Sequence, residues 1–164
     1  MGIILLNQAD IPSIDLYTRL GNKIENEQCT GYTPFELNQF KGYIDKYKNS
    51  AIFKYNPVPW ANCHGYTFAS SRTTIWDSEE VKKILHDDNY IEIKNYSDVK
   101  PGDVILYFDN KGDIVHSGII ISEYDSTIPV PKVVGRWSRF GEAVHFANNC
   151  PYNFSNAKYY RITK

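Results

Sequence analysis

The stretch NCHGYTFAS, residues 62–70, decides the expected fold because it reads as a cysteine, Cys63, placed at the start of a helix. Pro57 and Pro59 end the preceding segment, since proline lacks an N–H and keeps its neighbour extended. Asn62 is a favourable N-cap, and the residues after it can turn an apolar side inward. A thiol in the first turn lies at the positive end of the helix dipole, which lowers its pKa and favours the reactive thiolate.

A second segment, DIVHSGIIIS at 113–122, reads as a strand that carries a histidine, His116, near its start. A cysteine followed downstream by a strand histidine is the pair that cysteine-nucleophile hydrolases use. The sequence therefore predicts Cys63 as a nucleophile and His116 as its base. The alternatives are a packing role for Cys63, because free cysteine is among the most buried residue types, and a purely structural role for His116.

Length and composition indicate an ordinary globular chain. The 164 residues are 42% hydrophobic and 23% charged, so we expect a single domain over 1–164, with a helical N-terminal part at 1–58 and a Cys/His core at 59–164. The net charge of −1, without any basic block, argues against a nucleic-acid partner.

The N-terminus carries an apolar run of only four residues, at 3–6, with no basic residue before it. This is too short for a secretory signal or a membrane span. We therefore expect cytoplasmic synthesis and no membrane span, and leave open export or delivery as an effector.

The cysteines do not form a recognisable framework. Their odd number, three, excludes a complete set of disulfides, although a Cys29–Cys150 bridge that leaves Cys63 free stays open. No CxxC motif or Cys/His spacing suits zinc, so no metal and no other cofactor is expected.

Periodicity and capping signals predict helices first and strands afterwards. One helix is expected to start at Pro12 and to end at Gly21, and a second to open with the capping box Thr33–Glu36. Further helices should begin at Cys63 and after Asp77. Strands are expected at 90–94, 114–123, 132–140, 143–146 and 158–162, with a turn and strand over 99–108 and a short strand or arm at 3–6. This order is typical of the α+β class.

The cysteine helix, followed by VKPGDVILYF at 99–108, a hairpin and VHSGIII at 115–121, resembles the NlpC-type and CHAP-type papain-like peptidases and amidases. The resemblance covers roughly 60–146. The segment RWSRFGEAVHF at 136–146 is similar to a W-x-S-K-x-G…H run in bacterial relatives, with Ser138, Arg139, Gly141 and His145 at the matching places. The resemblance implies an α+β papain-like fold, in which N-terminal helices and the nucleophile helix pack on an antiparallel sheet of about five strands.

The resemblance also implies a mechanism, in which Cys63 attacks an amide carbonyl and His116 acts as base and then as acid for the leaving amine. Ser138 or His145 would orient His116. The Cys63 backbone N–H would hold the oxyanion, with help from a side chain just upstream such as Tyr55 or Asn62. NlpC enzymes usually read Asp-Cys-Ser-Gly where this chain reads NCHG. The residues expected to contact substrate are Tyr55, Trp60, Asn62, His64 and Trp137.

By this resemblance the expected substrate is a bacterial cell-wall peptide of peptidoglycan, which makes the protein an endopeptidase or amidase and fits an exported toxin or effector. A protein target or a cognate inhibitor is a further expected partner. One alternative keeps Cys63 and His116 in a protein deamidase or acyltransferase effector. Another is a non-catalytic peptide- or glycan-binding module. His64 is expected to line the groove rather than to pair with Cys63, since adjacent helical positions do not face each other.

Overall fold

The structure is a computed structural model that describes residues 12–55, 58–137, 139 and 141–164. Within these ranges it contains three α-helices and seven β-strands. The helices are α1 (Pro34–Tyr47), α2 (Cys63–Ala69) and α3 (Ser78–Asp87). The strands are β1 (Ala51–Tyr55), β2 (Tyr90–Ile93), β3 (Val104–Phe108), β4 (Ile114–Ile120), β5 (Lys132–Trp137), β6 (Gly141–Phe146) and β7 (Lys158–Ile162).

All seven strands join one antiparallel sheet in the order β1-β6-β5-β4-β3-β7-β2. The expected papain-like α+β fold is therefore wrong: the chain is mostly β, and its helices are short. Part of the reason is β1, which lies in the segment expected to be helical. This strand pairs along its whole length with β6, from Ala51 opposite His145 to Tyr55 opposite Gly141. Such a pairing joins residues some ninety positions apart, so no local signal announces it.

The helix expected between Pro12 and Gly21 does not form, because long-range hydrogen bonds hold this segment in an irregular path. Thr18 Oγ1 donates to Asp87 Oδ2 at 2.7 Å, and the Ile14 N–H donates to Asn26 Oδ1 at 3.0 Å. Gly21 closes a turn at a φ of +81°. The residues expected to form a strand or arm at 3–6 lie outside the described ranges.

The other helix predictions are confirmed, since their signals are local. Thr33 Oγ1 accepts from the Glu36 N–H at 3.2 Å, and the Glu36 carboxylate accepts from the Thr33 N–H at 2.8 Å, which completes the capping box of α1. Asp77 caps α3 by accepting from the Glu79 N–H at 2.8 Å. The strands expected after Cys63 form as well, with β4 and β5 shorter than expected.

Side chains alternate along each strand, so each strand presents residues to both faces of the sheet. Both faces are covered. In β3, Ile105 and Tyr107 pack on one face in a cluster with Phe40 of α1 and Trp137 of β5. Leu106 and Val104 pack on the other face, under α3 and the segment around Ile24; the second cluster also contains Ile75, Val81, Ile84 and Ile114. The strands at the centre of the sheet are therefore buried on both sides.

The arrangement of β4 and β5 creates the place where the cysteine helix sits. In the described chain these strands pair only at Ile119–Val134 and Ile120–Val133. The first part of β4, which carries His116, is thus not paired with β5. Helix α2 packs against both strands. Cys63, at the start of this helix, consequently comes close to His116.

Candidate active site

Cys63 is the first residue of α2, as the sequence predicts, and Asn62 is the N-cap. Asn62 Oδ1 accepts from the Gly65 N–H at 2.9 Å and from the Ile75 N–H at 3.2 Å, while Nδ2 donates to the Ile75 carbonyl at 2.6 Å. These three hydrogen bonds fix the helix start against the segment at Ile75. They occupy both acceptor positions of the Asn62 amide and one of its two N–H groups, and Asn62 also lines the pocket described next.

The Cys63 thiol opens onto a pocket of about 840 Å³, although only 8% of the residue is exposed. Its lining comes from α1, from the segments after β5 and β6, from the start of α3 and from the β3–β4 hairpin. The chief side chains are Glu36, Tyr43, Arg139, Tyr152, Trp76, Asp77, Asp109 and Asp113.

Two imidazoles act on the Cys63 thiol. Burial on its own would raise the pKa of this thiol, but the charges and hydrogen-bonding groups of His64 and His116 lower it well below its ordinary value. A cysteine in such surroundings holds the thiolate, which is the nucleophilic form. A packing cysteine has the opposite tendency: burial raises the pKa of the Cys150 thiol.

His64 does not simply line the groove, as the sequence suggested, but is 97% covered and turned toward β4. Its Nδ1 lies 2.9 Å from Ser117 Oγ, and this hydroxyl donates to Thr67 Oγ1 at 3.0 Å. Because the Ser117 proton goes to Thr67, its oxygen accepts from the His64 Nδ1–H. Burial opposes protonation, but the Cys63 thiolate and the Ile114 backbone raise the pKa of His64.

His116 is fully buried on β4. Its ring lies face to face with the ring of Tyr152, with centroids 3.8 Å apart and planes 6° apart. Neither ring nitrogen makes a well-aligned hydrogen bond with another described residue. His116 nevertheless lowers the pKa of the Cys63 thiol, through its charge and through hydrogen bonding with the thiol.

The third polar group expected beside His116 is not found at His145. Val133 pairs with both Ile120 and His145, so the backbone of His145 stands level with Ile120, about 13 Å along the strand from that of His116. The His145 Nδ1 donates to the Phe146 carbonyl at 2.8 Å, and burial, with a smaller contribution from the charge of His116, lowers the pKa of this residue to about 4. His145 is thus a neutral core residue. The other candidate, Ser138, lies outside the described residues.

The residue opposite the His116 ring is a glycine, Gly135. A Cβ added to Gly135 of β5 would stand 3.6 Å from His116 Nε2. The strand beyond the histidine therefore carries no side chain where a third polar group would reach this nitrogen.

The tryptophans differ most from expectation. Trp137 is wrong as a substrate contact, because it is fully buried between Tyr47 and Phe53, whose ring centroids lie 5.1 and 5.2 Å away. Trp60 is exposed but does not line the pocket, and its Nε1 donates to the Ser71 carbonyl at 3.1 Å. The side chain of Tyr55 lies outside the described part of the chain. The tryptophan that does line the pocket is Trp76, which the sequence analysis did not single out.

Sequence reasoning also missed Tyr152 and the role of Arg139. Tyr152 comes from an irregular segment near the C-terminus, and nothing in its local sequence marks it. Arg139 is 5% exposed and forms a bidentate ion pair with Glu36, at 2.8 Å for both hydrogen bonds. This pair joins α1 to the segment after β5 in the wall of the pocket.

The described residues contain no group of three or more His, Cys, Asp or Glu side chains arranged to hold a metal ion. Cys29, Cys63 and Cys150 are all free thiols, so the bridge left open by the sequence is not formed. None of the helices in the described ranges is long and apolar enough to cross a membrane.

Comparison of the chain with protein-family models, with curated proteins and with solved structures finds no match.

Proposed function

We propose that this protein is a cysteine hydrolase that cleaves an amide bond, with Cys63 as the nucleophile and His116 as the base. The observation that carries the proposal is the surroundings of one thiol. Cys63 stands at a helix start beside two buried imidazoles that lower its pKa, and it opens onto a pocket. A structural cysteine needs neither the imidazoles nor the opening.

The chemistry follows from these positions. The thiolate of Cys63 attacks the amide carbonyl carbon, and the negative charge that develops on the carbonyl oxygen needs hydrogen-bond donors. The N–H groups of Cys63 and His64 occupy the first two positions of α2, where helical N–H groups have no partner within the helix. His116 gives the thiol's proton to the leaving amine as the C–N bond breaks. Water, activated by the same imidazole, then hydrolyses the thioester.

The size of the pocket supports a small peptide segment as substrate, since sites for ligands of this scale measure roughly 300–1,000 Å³. The resemblance of the Cys63 and His116 segments to NlpC-type and CHAP-type enzymes makes cell-wall peptides the first substrate to test. Two hypotheses rest on this resemblance alone: that the protein is an exported toxin or effector, and that it belongs to that superfamily.

The test compares the wild type with Cys63→Ala and with the matched control Cys29→Ala, a free thiol outside the pocket, on purified sacculi and on a glutamine-containing protein such as casein. We expect wild type and Cys29→Ala to release peptides or new amino termini, and Cys63→Ala to release none. Ammonia from the protein substrate, without peptide cleavage, would instead indicate a deamidase. Equal behaviour of wild type and Cys63→Ala on every substrate would exclude Cys63 as a nucleophile and favour a binding module.

A further inference from the structure

We infer that Tyr152 is the positioning residue for His116, and that ring stacking here takes the role that a hydrogen-bonding third residue plays in other cysteine hydrolases. The inference rests on the proposed function, because it concerns how the base of that reaction is held. It concerns a residue that lies some thirty-five positions after His116 and belongs to no strand or helix.

The stack is closely defined. The rings of Tyr152 and His116 are nearly parallel, 6° apart, with a centroid separation of 3.8 Å. The Tyr107 ring, whose centroid is 5.3 Å from that of His116 at 45°, is a second aromatic neighbour. Two aromatic rings therefore restrict rotation of the imidazole about its side-chain bonds.

No hydrogen bond to a third residue provides the same restraint in the described chain. Both nitrogens of His116 are buried and, apart from the interaction with Cys63, lack a well-aligned partner. The position facing Nε2 belongs to Gly135, and a Cβ there would already meet the Ser117 carbonyl oxygen at 3.2 Å. Strand β5 consequently has little room for a side chain that could reach the ring.

Tyr152 is itself held firmly. Tyr107 Oη donates to the Ala147 carbonyl at 2.9 Å, and Tyr47 Oη donates to the Cys150 carbonyl at 2.9 Å. The Cys150 thiol contacts the carbonyls of Ala147 and Tyr152, each at 3.6 Å. These contacts tie the C-terminal segment to β3 and α1, so the position of the Tyr152 ring is set by the core.

The stack also suits the charge that the reaction creates. An aromatic face attracts a cation placed over it, so it stabilises the imidazolium that His116 becomes after taking the thiol's proton. Tyr152 lines the pocket beside Cys63, and burial together with the Cys63 thiolate raises the pKa of its phenol. The phenol therefore stays neutral and does not compete for that proton.

The experiment compares Tyr152→Phe and Tyr152→Leu with the wild type and with Tyr124→Leu, a control at an exposed tyrosine. Iodoacetamide labelling of Cys63 is followed by mass spectrometry from pH 5 to pH 9, and kcat and KM are measured for the release of peptides from purified sacculi or casein. We expect Tyr152→Phe to behave as wild type. Tyr152→Leu should lower both the labelling rate below pH 7 and kcat by roughly tenfold, with little change in KM.

Equal labelling profiles and kcat for Tyr152→Leu and wild type would overturn the inference, and so would equal losses in Tyr152→Phe and Tyr152→Leu, because the hydroxyl would then be the active group. The proposed function fails in a different way: wild-type Cys63 would label no faster than Cys150, and the inference would fall with it. If Tyr152→Leu does not fold, a measurement on the wild type still tests the inference. The stack requires the His116 ring protons to resonate upfield of those of the exposed His86, and overlapping positions would overturn it.

Discussion

His64 Nδ1 lies 2.9 Å from Ser117 Oγ, so the residue next to His116 on β4 holds the other imidazole of the site. Consecutive strand residues point to opposite faces. His116 and Ser117 nevertheless both affect Cys63, since His116 acts on the thiol directly and Ser117 acts through His64. The Cys63 thiol thus has one imidazole neighbour from β4, His116, and one from its own helix, His64.

Replacing His64 with Gln should raise the pKa of the Cys63 thiol. Burial of the thiol raises its pKa, and His64 is one of the two groups that oppose this effect. Without the imidazole, the midpoint of the pH profile for iodoacetamide labelling should move upward and the rate at pH 6 should fall at least about tenfold. Mass spectrometry of the Cys63 peptide gives both values.

Ser117→Ala tests the same arrangement with a smaller change to the site. It removes the acceptor for His64 Nδ1 but keeps the imidazole, so the midpoint should move in the same direction by a smaller amount. His86→Gln, at an exposed histidine on α3, should leave the profile unchanged. A His64→Gln profile that overlaps the wild type would mean that His116 alone sets the thiol's pKa.

Gly65→Ala should destabilise the protein far more than a surface glycine substitution, by about 3 kcal/mol, the upper end of the usual cost of overpacking. A Cβ at Gly65 would stand 1.6 Å from the Thr73 carbonyl oxygen, and backbone atoms cannot move aside cheaply. Gly42→Ala in α1 is the matched control, since nothing lies within 4 Å of its added Cβ, and it should stabilise by about 0.5–1 kcal/mol. Urea unfolding followed by circular dichroism measures both changes. A loss of under 1 kcal/mol for Gly65→Ala would contradict this packing.

The features that the sequence predicts correctly are those specified by neighbouring residues. The box Thr33–Glu36, the cap at Asn62 and the apolar runs that form β3 and β4 are each specified within a few positions, and each forms as expected. The helix expected from Pro12 fails because its polar groups bond to residues such as Asp87, far along the chain.

The candidate site divides in the same way. Cys63 and His116 stand out because their residue types and local settings suit a nucleophile and a base. Tyr152 and Trp76 reach the pocket through tertiary packing, and no spacing in the sequence indicates it. Trp137 is the opposite case: its place in the sequence suggested a substrate contact, but its side chain packs in the core. His64 lines the pocket as expected, but its effect on Cys63 was not expected, because the rule for adjacent helical positions does not consider the hydroxyl that β4 presents to it.

The Glu36–Arg139 pair should be necessary for the stability of the pocket wall. Both side chains are largely covered, at 17% and 7% exposure, so Glu36→Gln would leave a guanidinium in a poorly solvated place without its counter-charge. Removing one partner of such a pair typically costs about 3–5 kcal/mol, and we expect the lower end. The double variant Glu36→Gln/Arg139→Met should recover part of the loss. Chemical denaturation of the four proteins of this cycle measures the coupling, and additive losses would contradict it.

Asp87 should make stability depend on pH in the acid range, because it ties the irregular N-terminal segment to α3. Hydrogen bonds from His86, Asn22 and Thr18 lower the pKa of Asp87 from 3.8 to about 2. A depressed carboxyl pKa stabilises the folded state above its unfolded value, and this contribution disappears as the pH falls through the folded value. Asp87→Asn should therefore have a lower Tm than the wild type at pH 5, and the difference should shrink toward pH 2.

Asp45→Asn, on the exposed side of α1, is the control and should follow the wild type throughout. A Tm difference for Asp87→Asn that stays constant between pH 5 and pH 2 would show that the charge of Asp87 does not hold this segment in place.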